Sequence, residues 1–109
     1  LRIIEPEISV IGRKVVAKFK LEQVTSNEVY RISLFAHSHI DVSNKLNIVN
    51  RTEELNRSIT DGEAFELSIN LADYTSALVP GKSYYFRIGA QSHGSETKYN
   101  YSASVQLDI

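Results

Sequence analysis

The residue types with the most chemistry in them stand together at His37-Ser38-His39-Ile40-Asp41. In an extended segment alternate side chains project to one side, so His37, His39 and Asp41 would offer two imidazoles and a carboxylate to one point. That donor set suits zinc. The competing reading is a polar turn at a strand end, because short matches of this kind arise often by chance. The remaining histidine, His93, falls in a later loop at the opposite end of the fold this sequence predicts and cannot complete the set. The chain has no cysteine, which removes thiol nucleophiles, thiolate ligation and disulfides. Ser, Asp and Glu fall in turns or at outward strand positions. They form neither a strained nucleophile elbow nor a paired acid and base, so no catalytic residues and no cofactor are expected.

A second set of side chains is brought together by pairing rather than by sequence. If the segments around residues 30–37 and 84–91 are antiparallel neighbours, Arg31, Phe35, His37, Tyr85 and Arg87 share an outward face. Phe35 and Tyr85 would then be cross-strand partners. Aromatic rings beside guanidinium groups can stack on a sugar ring or anchor a protein. Against this, a segment near Leu46 or Ile48, or an adjacent domain, could cover the face, or the rings could simply stabilise their sheet.

The elements that would position these groups are legible from alternation. Pro80-Gly81 is a chain reversal, since Pro presets its own φ and Gly adopts conformations that other residues avoid. After it Tyr84, Phe86, Ile88 and Ala90 fall on one face of a strand and Tyr85, Arg87, Gly89 and Gln91 on the other. Gly89 inside that strand lets a neighbour pack closely or marks a bulge. Residues 1–5 read as the end of a linker, and Pro6 suits the start of an edge strand carrying Ile8 and Val10 up to Gly12. Residues 13–22 place Val15, Ala17, Phe19 and Leu21 inward. Residues 30–37 place Tyr30, Ile32, Leu34 and Ala36 inward. The signal then blurs: Leu46, Ile48 or Val49 could start a short strand, residues 52–56 a single helical turn, and residues 57–60 an edge piece. Asp61-Gly62 is a turn, after which Phe65, Leu67, Ile69 and Leu71 alternate inward. Residues 92–97 form a polar hairpin loop, and a last strand carries Tyr101, Ala103, Val105, Leu107 and Ile109 inward. Seven short strands, with an eighth optional, predict an all-β antiparallel sandwich.

Leu78, Pro80, Gly81 and Tyr84 resemble the Leu-x-Pro-Gly-x-x-Tyr pattern that precedes the F strand of fibronectin type III domains. The resemblance implies an immunoglobulin-like sandwich over residues 6–109. It implies that Tyr84 is the tyrosine-corner residue, its hydroxyl bonded to backbone a few residues upstream. It also places Phe19 where that family usually has a core Trp. More narrowly, residues 84–90, Gly94 and Tyr99-Asn100-Tyr101-Ser102 resemble the C-terminal sandwich of an uncharacterised family of bacterial cell-surface lipoproteins encoded in glycan-uptake loci. This implies a surface location among glycan-handling proteins, and it brings no ligand residues with it. The His37 segment resembles the start of the His-x-His-x-Asp-His motif of metallo-β-lactamase-type hydrolases, but Val42 replaces the final His and the chain is too short for that fold.

At 109 residues, one domain can bury a core without disulfides or metals. The net charge of −1 is spread without a basic block, which argues against nucleic acid as a partner. No apolar run has the length of a membrane span, so no direct membrane insertion is expected. A start at Leu1 without Met reads as a processed or excised piece, with any anchor outside it. Three Asn-x-Ser/Thr matches, at Asn50, Asn56 and Asn100, matter only in a eukaryotic secretory pathway. The expected function is that of a non-catalytic extracellular or cell-surface module. It would space or dock neighbouring domains, or bind a glycan or a surface protein, within bacterial polysaccharide uptake. The alternative is an accessory domain of a multidomain glycan-degrading enzyme.

Overall fold

A computed structural model describes residues 1–94 and 98–109. Its centre follows the alternation read above. β1 (Arg2–Ile11) turns through Gly12, at φ 62°, into β2 (Lys14–Glu22), where Val15, Ala17, Phe19 and Leu21 are buried and Lys14, Lys18 and Lys20 are exposed. β3 (Val29–His37), β4 (Val49–Arg57) and β5 (Glu63–Asn70) follow. A 3-10 turn (Leu71–Asp73) leads to β6 (Ser83–Ser92), β7 (Tyr99–Tyr101) and β8 (Val105–Asp108). These strands form two antiparallel sheets: one ordered β1-β2-β5, the other β4-β3-β6-β7 with β8 also paired to β6. The all-β sandwich is therefore the observed fold. Among the described residues no helix is long and apolar enough to cross a membrane.

The core lies between the sheets, where Phe19, Leu21, Ile32, Leu34, Phe86 and Ile88 are all at most 3% exposed. Phe19 stacks on Phe65 with ring centroids 5.9 Å apart, which fills the place of the absent Trp. Tyr84 is buried, and its hydroxyl accepts the Val79 N–H at 2.9 Å. That is the bond the resemblance to fibronectin type III domains implied for Tyr84, and it ties down the turn at Gly81, where φ is 86°.

Several local expectations are corrected. Arg2, Ile3 and Ile4 pair with Glu22, Leu21 and Lys20, so residues 1–5 are mainly strand rather than linker. Ile3 packs against the core, which ties this segment down. Pro6 sits at an irregularity of register between Ile4 and Glu7, beside Glu5 at φ 51°, and not at the strand's start. An edge strand tolerates both, since its outer side has no ladder to break. Tyr30 does not point into the core: a register shift between Val29 and Arg31 gives that place to Val29. Residues 52–56 form no helix but the middle of β4. Paired to β3 along one edge, β4 puts Val49 and Leu55 toward the core, and their even spacing suits a strand. Leu46 and Ile48 lie outside the strand and are exposed. Of the loop expected at 92–97, residues 95–97 lie outside the described residues.

The correction with the largest consequence is in the last strand. Gly89 pairs with Tyr101, and Phe86 with Val105. Three steps along β6 thus face four along the other chain segment, and the extra residue reverses the facing between β7 and β8. Val105 and Leu107 pack against the core as expected. Tyr101 instead projects onto the outer face, and Ala103 is exposed.

Candidate functional site: the outer face of the five-stranded sheet

Phe35 and Arg87 are direct cross-strand partners, as are His37 and Tyr85. Phe35 and Tyr85 are therefore diagonal neighbours and not the opposed pair expected. The five predicted face residues do share one side of the sheet, but Phe35 is not available to a ligand, being 1% exposed. Tyr99 meets it edge-on at 5.5 Å and Tyr101 lies 6.2 Å away. Gly89 makes this possible. A Cβ there would lie 2.8 Å from Phe35 Cε2 and 2.9 Å from Tyr99 Cδ1, closer than real Cβ atoms come to anything. Val42, from the loop after β3, is also fully buried, and its carbonyl accepts from Arg87 Nη1 at 3.4 Å.

The covering side chains form a ladder of rings and cations. His93 lies 4.5 Å from the Tyr30 ring, and the Arg31 guanidinium is 4.7 Å from Tyr30 and 5.6 Å from Tyr99. Tyr99 stacks on Tyr101 at 5.7 Å and 20°, and the Arg87 guanidinium closes the row 4.8 Å from Tyr101. Such contacts are favourable because a cation is attracted to the negative face of a ring. Each arginine is aimed by a neutral acceptor. Arg31 Nε donates to the buried Gln91 Oε1 at 2.9 Å, and Arg87 Nε to the Ser102 carbonyl at 2.7 Å.

Beside Tyr99 and Tyr101 runs an open groove of about 320 Å³, completed by Ser43, Asn44, Lys45 and Lys98. The Asn44 N–H donates to the Tyr101 hydroxyl at 3.1 Å, which joins the loop to β7. The loop is held internally as well. Ser43 Oγ accepts from the N–H groups of Lys45 and Leu46 at 3.2 Å each, and Asn47 Nδ2 donates to the carbonyls of Ser43 and Asn44 at 3.1 and 3.0 Å. A groove fixed before binding loses little entropy when a ligand enters. Its chemistry is that of recognition: aromatic carbon, hydroxyls, an amide and ammonium groups.

The metal candidate does not assemble. His37 Nδ1 accepts the His39 N–H at 3.0 Å, and His39 Nδ1 accepts the Asp41 N–H at 3.1 Å. Each imidazole thus caps a turn through its Nδ1. No cluster of metal-ligating side chains occurs among the described residues. His93 Nε2 lies 2.7 Å from Asn56 Oδ1, beside Tyr30 at the start of β3 and so at the far end of that strand from His37. Sequence reasoning missed Tyr99, Tyr101, Asn44 and Lys45. The signal for the tyrosines was there, since Tyr99-Asn100-Tyr101 puts both rings on one face opposite the one glycine of β6.

No curated protein matches the chain significantly. Among solved structures, a "putative carbohydrate binding protein" from Bacteroides uniformis superimposes with a TM-score of 0.91 at 27% identity, over 99% of this chain and 56% of that one. A DUF3823 family protein from Parabacteroides merdae gives 0.76 at 20% identity, over 98% of this chain and 51% of that one. Another from Bacteroides ovatus gives 0.78 at 17%, over 97% and 54%. These last two speak for the fold alone. The chain spans about half the length of the solved structures it matches. The model of a family described as a domain of unknown function, DUF3823_C, matches residues 1–106, and the chain belongs to that family.

Proposed function

We propose that this domain is a non-catalytic carbohydrate-binding module of a larger cell-surface protein, and that the groove between Asn44-Lys45 and Tyr99-Tyr101 receives the sugar. The observation that carries the reading is that groove: a preformed, solvent-open trough whose lining combines the carbon of two tyrosine rings with hydrogen-bonding groups of Ser43, Asn44 and Lys45. Sugars present apolar C–H faces and polar hydroxyl rims, and a few placed polar groups beside aromatic carbon match both. The likeness to the Bacteroides uniformis protein supports sugar over other polar ligands. Surface location and a part in polysaccharide uptake are what the resemblance to lipoproteins of glycan-uptake loci implies. Neighbouring domains of the same protein would then be its covalent partners.

A groove this shallow is expected to bind with a Kd between about 1 mM and 1 μM, or roughly −4 to −8 kcal/mol. The test is a glycan array followed by calorimetry on the wild type and an Asn44→Ala/Lys45→Ala variant, with thermal melts on both. The Asn44 N–H to Tyr101 bond is backbone and survives the substitution. Sugar binding that disappears in a variant of unchanged melting temperature is the expected result. Binding that persists would move the site elsewhere, and a folded wild type that binds no glycan would end the proposal.

A further inference from the structure

Charge on the outer face is distributed unlike charge on the rest of the molecule. The whole chain carries a formal −1. Among the described residues the ion pairs of lysine and arginine are Lys18–Glu66, Lys20–Glu5 and Arg57–Glu63, and none involves Arg31, Lys45 or Arg87. The two arginines spend their charge on neutral partners: the Gln91 amide, the carbonyls of Ser102 and Val42, and the rings of the ladder. The described carboxylates on this face stand toward its ends. Glu54, beside the Tyr30 hydroxyl, is the cross-strand partner of Arg31, and Asp108 accepts from Ser83. Arg31 and Arg87 flank the two tyrosines, and the lining of the groove along those rings includes Lys45.

Resting on the carbohydrate reading above, we propose that the sugar taken by this groove is acidic: a carboxylate or sulfate on the ring meets Lys45, while the ring lies against Tyr99 and Tyr101. A cation lining a groove and engaged in no ion pair with a described residue favours ligands of the opposite sign there. Because Lys45 is exposed, its attraction for an anion is screened by salt.

The experiment titrates the intact chain calorimetrically with matched pairs. One arm uses an oligogalacturonate and the same oligomer methyl-esterified, which keeps the rings and removes the charge. The other uses a sulfated galactan oligosaccharide and its desulfated form, and polyglutamate controls for charge without sugar. One acidic member is expected to bind about two- to fivefold more tightly than its neutral twin, the range for an ion pair at an exposed lysine. Added salt should erode that preference and Lys45→Gln should abolish most of it at unchanged melting temperature. The arm that responds identifies the anionic group. Equal binding of charged and neutral twins overturns this inference while leaving the carbohydrate reading intact. Polyglutamate binding as tightly as the acidic sugar also overturns it, as does a Lys45→Gln variant with full preference. Failure of every sugar to bind removes both.

Discussion

A hydrogen in place of a side chain at Gly89 is what leaves room for Phe35, Tyr99 and Tyr101 to meet on one side of the sheet. The backbone at this position needs no glycine conformation, so the requirement is purely one of space. Gly89→Ala would push a methyl group into Phe35 and Tyr99, and overpacking of this kind costs about 1–3 kcal/mol. Urea denaturation is expected to show that loss, together with a changed tyrosine signal in near-ultraviolet circular dichroism. A variant as stable as the wild type, with the same spectrum, would show that the rings are not held where the structure puts them. Lys45 presents the contrasting case: it is exposed and its loop bond to Ser43 is made by backbone, so substituting its side chain reads binding without disturbing the fold.

Between elements, the open edge of the sandwich is clasped by Arg57 at the end of β4 and Glu63 at the start of β5, strands that belong to different sheets. Arg57 Nη1 donates to Glu63 Oε1 at 3.1 Å, and the Thr60 N–H donates to the same oxygen at 3.3 Å. The hydrogen bond from Arg57 comes first in holding the Glu63 carboxyl below its ordinary range, against a smaller opposing effect of burial. A carboxylate with a lowered folded-state pKa contributes stability that is whole above its unfolded-state value, about pH 4.3, and is lost as pH falls through the folded value. Glu63→Gln removes that contribution at neutral pH and leaves less to lose in acid. Melting temperatures measured from pH 7 down to pH 2 should therefore fall less steeply for the variant. Parallel curves for the two proteins would refute the clasp. The β7–β8 irregularity acts at this scale too, since one inserted residue sends the tyrosines outward and Val105 and Leu107 inward.

Over the whole molecule, β3 and β6 are covered on both faces: by the main core on one side, and by the ring ladder and Val42 on the other. Amide hydrogen exchange is expected to be slowest there and faster in the edge strands β1, β4, β5, β7 and β8, because protection follows burial and central pairing. Protection in β4 equal to that in β3 would contradict this layering. The sequence by itself determined the sandwich. Alternation in residues 15–21, 65–71 and 84–90, the Pro80-Gly81 turn and the Tyr84 corner are local signals, each readable because a strand with one buried face repeats every two residues. β4 was legible only as an optional short strand near Val49, because most of the strand faces solvent and its polar residues have little apolar rhythm. The sequence could not show that Phe35 is covered, because outward position along a strand says nothing about what another segment lays over it. Only the tertiary structure decided that, through one extra residue after Tyr101 and a loop that carries Val42 inward. The candidate site was half legible for the same reason. Its arginines lie on strands of clear alternation, whereas Asn44, Lys45 and Tyr101 reach the groove by a loop path and a break in register that no periodicity encodes.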